Sequence, residues 1–342
     1  MSMRDRADLF AESARRRTMN VVVIEKDFWV CWVLKRLFTM PNLPAGLIFK
    51  GGTSLSKVFG VIERFSEDVD LSFNRDDLGF GGENDPAHAG SKKKQQAQVE
   101  NLVVATSQMI RDKLLPRLMT VIESELKSAS GRSWGLELDS TDAEQQTVLF
   151  HYPKSDQHRA ESAPYLRPNV RLEMGARAEH WPITVGTVQP YAADDVPTAF
   201  QNPACTVRAA AAERTFWEKA TILHMWHHAG ADKTLKERQS RHYYDVVRLF
   251  EHPTGKSALN DLELLRAVAR HKSLFFRRAW AKFDEAVPGS LRLVPPKARL
   301  VELAHDYATM REEMIFGEAP TMEHILDVLA EIERLVNGAD GL

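Results

Sequence analysis

The chain has 342 residues, 44% of them hydrophobic and 27% charged, with 45 Lys and Arg against 47 Asp and Glu for a formal net charge of −2. Such a composition belongs to a globular protein with a substantial core, and the length suggests about two domains. It excludes a disordered or fibrous chain and a histone-like binder, so any nucleic-acid contact must come from local basic patches.

Two cysteines are present, Cys31 and Cys205, far apart and outside any CxxC or Cys/His spacing. That pattern argues against a zinc site or a disulfide framework and fits a reduced, cytoplasmic setting. The first residues carry acids and no apolar core, and the longest apolar run, Phe28 to Leu34, is too short to cross a bilayer. Neither export nor membrane insertion is expected.

Helical periodicity runs over residues 4–18 and 21–40, the second stopping at Pro41. A strand-turn-helix-strand unit follows from Leu47 to Asn74. The Gly-, Asp- and Asn-rich stretch from Arg75 to Gly90 is expected to be a loop and a candidate mobile flap. A long helical stretch, Ser91 to Ser130, should bend or break at Pro116. Short β-type runs come next at Trp134 to Leu138, Thr147 to Tyr152, Asn169 to Met174 and Thr184 to Tyr191, with a polar loop at Pro153 to Arg167. From Ala211 onward the patterns are helical, with breaks near Gly230, Pro253 to Gly255, Pro288 to Pro296 and Gly317 to Pro320. A mixed front half and an all-helical back half point to an α+β catalytic domain over 1–210 joined to a helical domain over 211–342.

Two segments of the strand-turn-helix-strand unit carry chemistry. In Lys50-Gly51-Gly52-Thr53-Ser54-Leu55-Ser56-Lys57 an apolar strand ends in paired glycines at a helix start, where bare N–H groups and hydroxyls can face a phosphate. In Asp68-Val69-Asp70-Leu71-Ser72-Phe73 the strict alternation puts Asp68, Asp70 and Ser72 on one face of a strand. Two carboxylates that close repel by roughly 4 kcal/mol at an effective dielectric near 20, which a bound cation would relieve. Mg²⁺ is the expected ion, since it takes one or two carboxylates together with substrate phosphates. A third carboxylate is expected at Glu173. In Asn169 to Met174 the apolar residues 170, 172 and 174 face one way, leaving Arg171 and Glu173 on the opposite face. The alternative there is an exposed edge-strand face.

Later residues also stand out. Phe216, Ala220 and Leu223 form a helical apolar stripe into which Lys219 intrudes, so its ammonium needs a partner such as a nucleotide phosphate or Asp245. For Asp245 the simpler reading is a surface pair with Arg241 one turn earlier. His224 and His228 share a helical face, but aromatic packing with Trp226 explains them as well as a metal would. Arg266, Arg270, Lys272, Arg277 and Arg278 form a run of fixed positive charge without an acid, and Lys233 to Arg241 adds four more against one Glu. These runs suit RNA phosphates, or a solvated face.

The chain resembles the AbiEii/AbiGii toxin-like nucleotidyltransferases, which include the MenT-type toxins and belong to the polymerase-β-like superfamily. The resemblance covers about residues 20–250. It rests on Lys50 to Ser56, on Arg64 to Leu71, and on the segments Glu213 to Lys219 and Arg241 to Leu249. It implies a polymerase-β-like core, a small mixed sheet flanked by helices, and a helical C-terminal domain that completes the active site. By the same resemblance Gly52 and Ser54 would grip an NTP, Asp68 and Asp70 would bind Mg²⁺, and Lys219 and Asp245 would complete the site. The gap from Gly52 to Asp68 is longer than the superfamily's commonest form, and Glu173 matches no sharp motif. The implied activity is transfer of a nucleoside monophosphate to RNA, at the tRNA 3′ acceptor end, with translation blocked and a cognate antitoxin as partner. The alternatives are nucleotidylation or phosphorylation of a protein partner, and a non-catalytic nucleotide- or RNA-binding protein.

Overall fold

The computed structural model describes residues 3–126, 134–155, 167–230, 232–235 and 237–338. Most of the polar loop expected at 153–167, the end of the helical stretch at 127–130 and Lys236 of the second basic run lie outside them.

Two compact units emerge, Met1–Val58 with Phe65–Ala209, and Phe59–Arg64 with Ala210–Leu342. The first holds helices α1 (Met3–Arg17) and α2 (Val21–Thr39), strand β1 (Leu47–Lys50), helix α3 (Gly51–Lys57) and strand β2 (Asp68–Phe73). Helices α4 (Lys92–Met109) and α5 (Leu115–Leu126) follow, then β3 (Gly135–Leu138), β4 (Thr147–His151), β5 (Val170–Gly175), β6 (Ile183–Val188), the short helix α6 (Tyr191–Asp195) and β7 (Cys205–Ala210). One mixed seven-stranded sheet results, in the order β3-β4-β5-β2-β1-β7-β6.

Helix α2 starts where the Asn20 side chain accepts from the N–H of Val22 at 2.8 Å, and it ends just before Pro41. Its apolar face carries Trp29, whose ring stacks on Tyr152 at 5.6 Å, beside Trp32 stacked on Phe150 at 5.6 Å. Burying a large apolar side chain is worth about 1.5–3 kcal/mol, so this seam anchors α2 to one end of the sheet. The same helix buries three consecutive charged residues, Glu25, Lys26 and Asp27. Each has a partner from another element, since charges cannot be left bare in the interior. Glu25 accepts from the N–H and hydroxyl of Ser155, Lys26 donates to Glu67 at 2.7 Å and to the carbonyl of Arg167 at 3.1 Å, and Asp27 pairs with Lys57 at 2.7 Å.

Four local features differ from the sequence reading. Residues 75–90 form three 3₁₀ turns, Asp76–Leu78, Gly82–Asn84 and Pro86–His88, tied down by Arg75, which bonds Asp85 at 2.9 Å and also reaches Glu179. The break in the long helix is a π-helical turn at Ile110–Leu114, just before Pro116. Pro116 has no N–H for the carbonyl of residue 112, and its ring crowds that turn. The last expected β-run stops at Val188, and Tyr191 instead begins α6. A strand not expected at all, β7, runs parallel to β1 through Phe49 and Ala209.

The second unit is helical: α7 (Ala212–His227), α8 (Ser240–Glu251), α9 (Pro253–Leu259), α10 (Leu262–Phe275), α11 (Leu300–Met314) and α12 (Met322–Gly338). Pro253 opens α9 at its first position, where a missing N–H costs nothing, rather than interrupting a helix. The stripe Phe216, Ala220 and Leu223 is completely buried. The excursion Phe59–Arg64 belongs to this unit, where Phe316 donates its N–H to the carbonyl of Glu63 at 2.9 Å.

Candidate active site

The glycine pair and the paired aspartates meet at one point. Gly51 takes φ +78°, and a Cβ built on it would lie 1.9 Å from Oδ2 of Asp70. Only glycine allows both that backbone and that approach. Thr53 donates its hydroxyl to the carbonyls of Asp68 and Ser66, which fastens α3 to the start of β2. The other predicted phosphate-binding side chains are engaged inside the fold. Ser54 bonds the carbonyl of Gly51 at 2.9 Å, Ser56 contacts the Tyr191 hydroxyl at 3.1 Å, and Lys57 is held by Asp27 over the Tyr191 ring. These four side chains therefore shape the turn as placed, and of the neighbouring residues Gly51 and Lys50 are partly exposed whereas Gly52 is buried. Lys50 Nζ stands 3.8 Å from Oδ1 of Asp70.

Strand β5 lies parallel to β2 with Asp68 opposite Arg171 and Asp70 opposite Glu173. Val69, Leu71, Leu172 and Met174 fill the buried face, so the three acids and Arg171 share the other one. Arg171 bonds Asp139 at 2.5 Å and reaches Glu173 at 3.4 Å and Asp68 at 3.7 Å. Asp139 in turn accepts from the hydroxyl and N–H of Thr141, and these bonds, with Arg171, hold its pKa down at about 2. Partial burial and the negative charges of Asp70 and Asp68 push Glu173 the other way, up to about 7, against the opposing pull of Arg171.

No group of three or more His, Cys, Asp or Glu side chains among the described residues is placed to hold a metal ion. Glu173 therefore does not form a preassembled three-carboxylate cage with the aspartates. The two aspartates alone still fit Mg²⁺, which takes one or two protein carboxylates and fills its shell with water and phosphate oxygens. The register that sets Asp68 and Asp70 on one face, with Asp70 opposite Glu173, is the observation that favours a cation here.

Lys219 and Asp245 belong to the second unit, where Asp245 is completely buried. Arg64 grips both of its oxygens through Nε and Nη2 at 2.7 Å, and Lys219 Nζ adds a third bond at 2.7 Å. Burial alone would raise this carboxyl, but the two cations win and hold it far below the usual range. The bland surface pair of Asp245 with Arg241 is thus replaced by an interior triad. Arg64 is the member that residue spacing could not supply, being 181 positions from Asp245. His224 uses both ring nitrogens, one facing the carbonyl of Lys282 at 3.1 Å and one accepting from the N–H of Arg292 at 3.0 Å, which excludes it as a metal ligand. A cavity of about 210 Å³ beside α2, walled by Phe28, Trp32, Lys35, Arg36 and Phe200, contains none of the candidate site residues.

Residues 32–331 match the family described as nucleotidyl transferase AbiEii toxin, type IV toxin–antitoxin system. Among solved structures the chain is similar to MenT4, a nucleotidyltransferase toxin from Mycobacterium tuberculosis H37Rv, at 14% identity and a TM-score of 0.51, covering 96% of this chain and 89% of that one. JHP933 from Helicobacter pylori aligns at 14% identity over 92% of this chain and 96% of its own, with a TM-score of 0.34. No curated protein matches. No helix among the described residues is long and apolar enough to cross a membrane. The α+β architecture is that of the MenT nucleotidyltransferase fold, and with the family match spanning most of its length the chain belongs to the AbiEii family of nucleotidyl transferase toxins.

Proposed function

We propose that the protein is an Mg²⁺-dependent toxin that moves a nucleoside monophosphate from an NTP to an RNA hydroxyl, at the 3′ acceptor end of tRNA, and so blocks translation. The observation that carries this reading is the register of β2 on β5, which brings Asp68, Asp70 and Glu173 to one sheet face beside the Gly51 turn. Family membership supports NTP as the donor and an antitoxin as the partner. MenT4 is itself a nucleotidyltransferase toxin, which agrees with the same chemistry.

Asp68 and Asp70 would hold the ion, which when bound neutralises phosphate charge and makes the attacking hydroxyl more acidic. Lys50 and the N–H groups of Gly51 and Gly52 bind the triphosphate oxygens. Glu173, with a pKa of about 7, is matched to accept the hydroxyl proton on a side-chain oxygen near neutral pH. As the new O–P bond forms at the α-phosphorus, the bond to the β-phosphate oxygen breaks and pyrophosphate leaves. Lys219 and Asp245, which the family resemblance singles out, are bound to each other and to Arg64 within the second unit. In the second unit Arg270, Arg277 and Arg278 are exposed and suit an RNA backbone, whereas Arg266 is answered by Glu263 at 3.2 Å.

Incubation with total RNA and each α-labelled NTP in turn, with and without Mg²⁺, tests the reading. Label should enter the tRNA fraction only with Mg²⁺. Label entering protein, or product labelled by γ-labelled but not by α-labelled NTP in a parallel incubation, would replace this reading with protein modification or phosphorylation.

A further inference from the structure

Arg171 is placed unlike an ordinary structural arginine. Its shortest bond, 2.5 Å, goes to Asp139, which stands next to β3 and is itself fixed by Thr141. Toward the sheet face its contacts are looser, 3.4 Å to Glu173 and 3.7 Å to Asp68. The guanidinium is thus tethered on one side and only leans on the other two carboxylates. Its side chain is 26% exposed, so it has room to turn about that tether.

A guanidinium and a divalent cation cannot both be satisfied by the same carboxylate oxygens. Each would repel the other. Resting on the nucleotidyl-transfer reading above, we propose that Arg171 is a positioning residue that acts as a tethered stand-in cation. It neutralises Asp68 and Glu173 until a divalent ion arrives and then withdraws on Asp139. Asp139 sets how readily it yields. The account extends the role of the acidic face: its affinity for metal is set by a competitor built into β5.

Mn²⁺ titration of the whole purified protein without nucleotide, followed by electron paramagnetic resonance, tests the inference without any turnover. Arg171→Met and Arg171→Gln should each bind Mn²⁺ roughly tenfold more tightly, the equivalent of removing one modest charge repulsion. Arg171→Lys keeps the charge and should stay near wild type. Asp139→Asn frees the guanidinium to close on Asp68 and should weaken Mn²⁺ binding several-fold, a readout that does not depend on the Arg171 variants folding. Unchanged or weaker binding in the folded Arg171 variants, or unchanged binding in Asp139→Asn, would overturn the proposal. The double variant Asp68→Asn/Asp70→Asn separates the two layers. If it binds Mn²⁺ as wild type does, the metal-site reading itself fails; if it loses Mn²⁺ while Arg171→Met is unchanged, only the stand-in role fails.

Discussion

Asp245→Asn should be among the most damaging single substitutions in the second unit, and its size follows from the triad. Wild-type Asp245 has no exposure and receives three charged bonds of 2.7 Å, two from Arg64 and one from Lys219. The amide keeps the shape but removes the charge, leaving two buried cations facing each other and an NH₂ where an acceptor stood. Breaking a buried ion pair costs about 3–5 kcal/mol, and two stranded cations place this case at the upper end. For a unit of this size that is a fall in melting midpoint on the order of 10 °C. Urea unfolding followed by far-UV circular dichroism measures it directly. The linkage sign is also fixed. A folded pKa held below the unfolded value of about 3.9 gives stability that is complete above that pH and lost as pH falls through the folded value. The gap between wild type and Asp245→Asn should therefore narrow below about pH 4. A loss under about 1 kcal/mol at pH 7, far short of the cost of a broken buried pair, would refute the reasoning. The triple replacement Arg64→Met/Lys219→Met/Asp245→Leu should recover most of the lost stability, because an apolar set needs no charge compensation.

Gly51→Ala should lower nucleotidyl transfer by about a hundredfold while costing the fold only about 1–2 kcal/mol, because the added Cβ displaces the Asp70 carboxylate; comparable activity in a steady-state label-transfer assay would contradict the close approach. Lys26→Met, which removes a buried cation from the largely buried Glu67 and from the carbonyl of Arg167, should destabilise the first unit by roughly 3 kcal/mol in chemical denaturation, and a neutral result would show that α2 does not anchor the start of β2. Glu173 has a raised folded pKa, so its ionisation opposes folding as pH climbs from about 4.3 to about 7. With chelator present, Glu173→Gln should melt above wild type at pH 8 and match it at pH 4.5; the same difference at both values would mean that Glu173 is not perturbed.

The strands that carry Asp68, Asp70 and Glu173 were legible because alternation has only one structural meaning. Val69, Leu71 and Phe73 on β2, and Val170, Leu172 and Met174 on β5, each mark a buried face and fix where the acids point. Strand β7 escaped because Cys205 to Ala210 runs into alanines that suit a helix equally well. Lys219 asked for a partner by sitting on an apolar stripe, but Arg64 gave no such signal, lying in a short excursion whose neighbours are 181 residues away. The hydroxyls after Gly52 show the limit of motif reading. Their types suit a phosphate cradle and also suit holding a short helix on its strand, and only the placement of Ser66, Asp68 and Tyr191 distinguishes the two uses. Arg171 was visible on the face that carries the acids, yet its anchor at Asp139 depended on a pairing of β3, β4 and β5 that no local pattern encodes.

The central claim is that Asp70, pressed against Gly51 and opposite Glu173, belongs to a nucleotidyl-transfer centre. Comparing folded Asp70→Asn with wild type for transfer of α-labelled NTP into purified tRNA tests it most directly. The account predicts labelled tRNA from wild type and none above background from the variant. Equal labelling by both would contradict it.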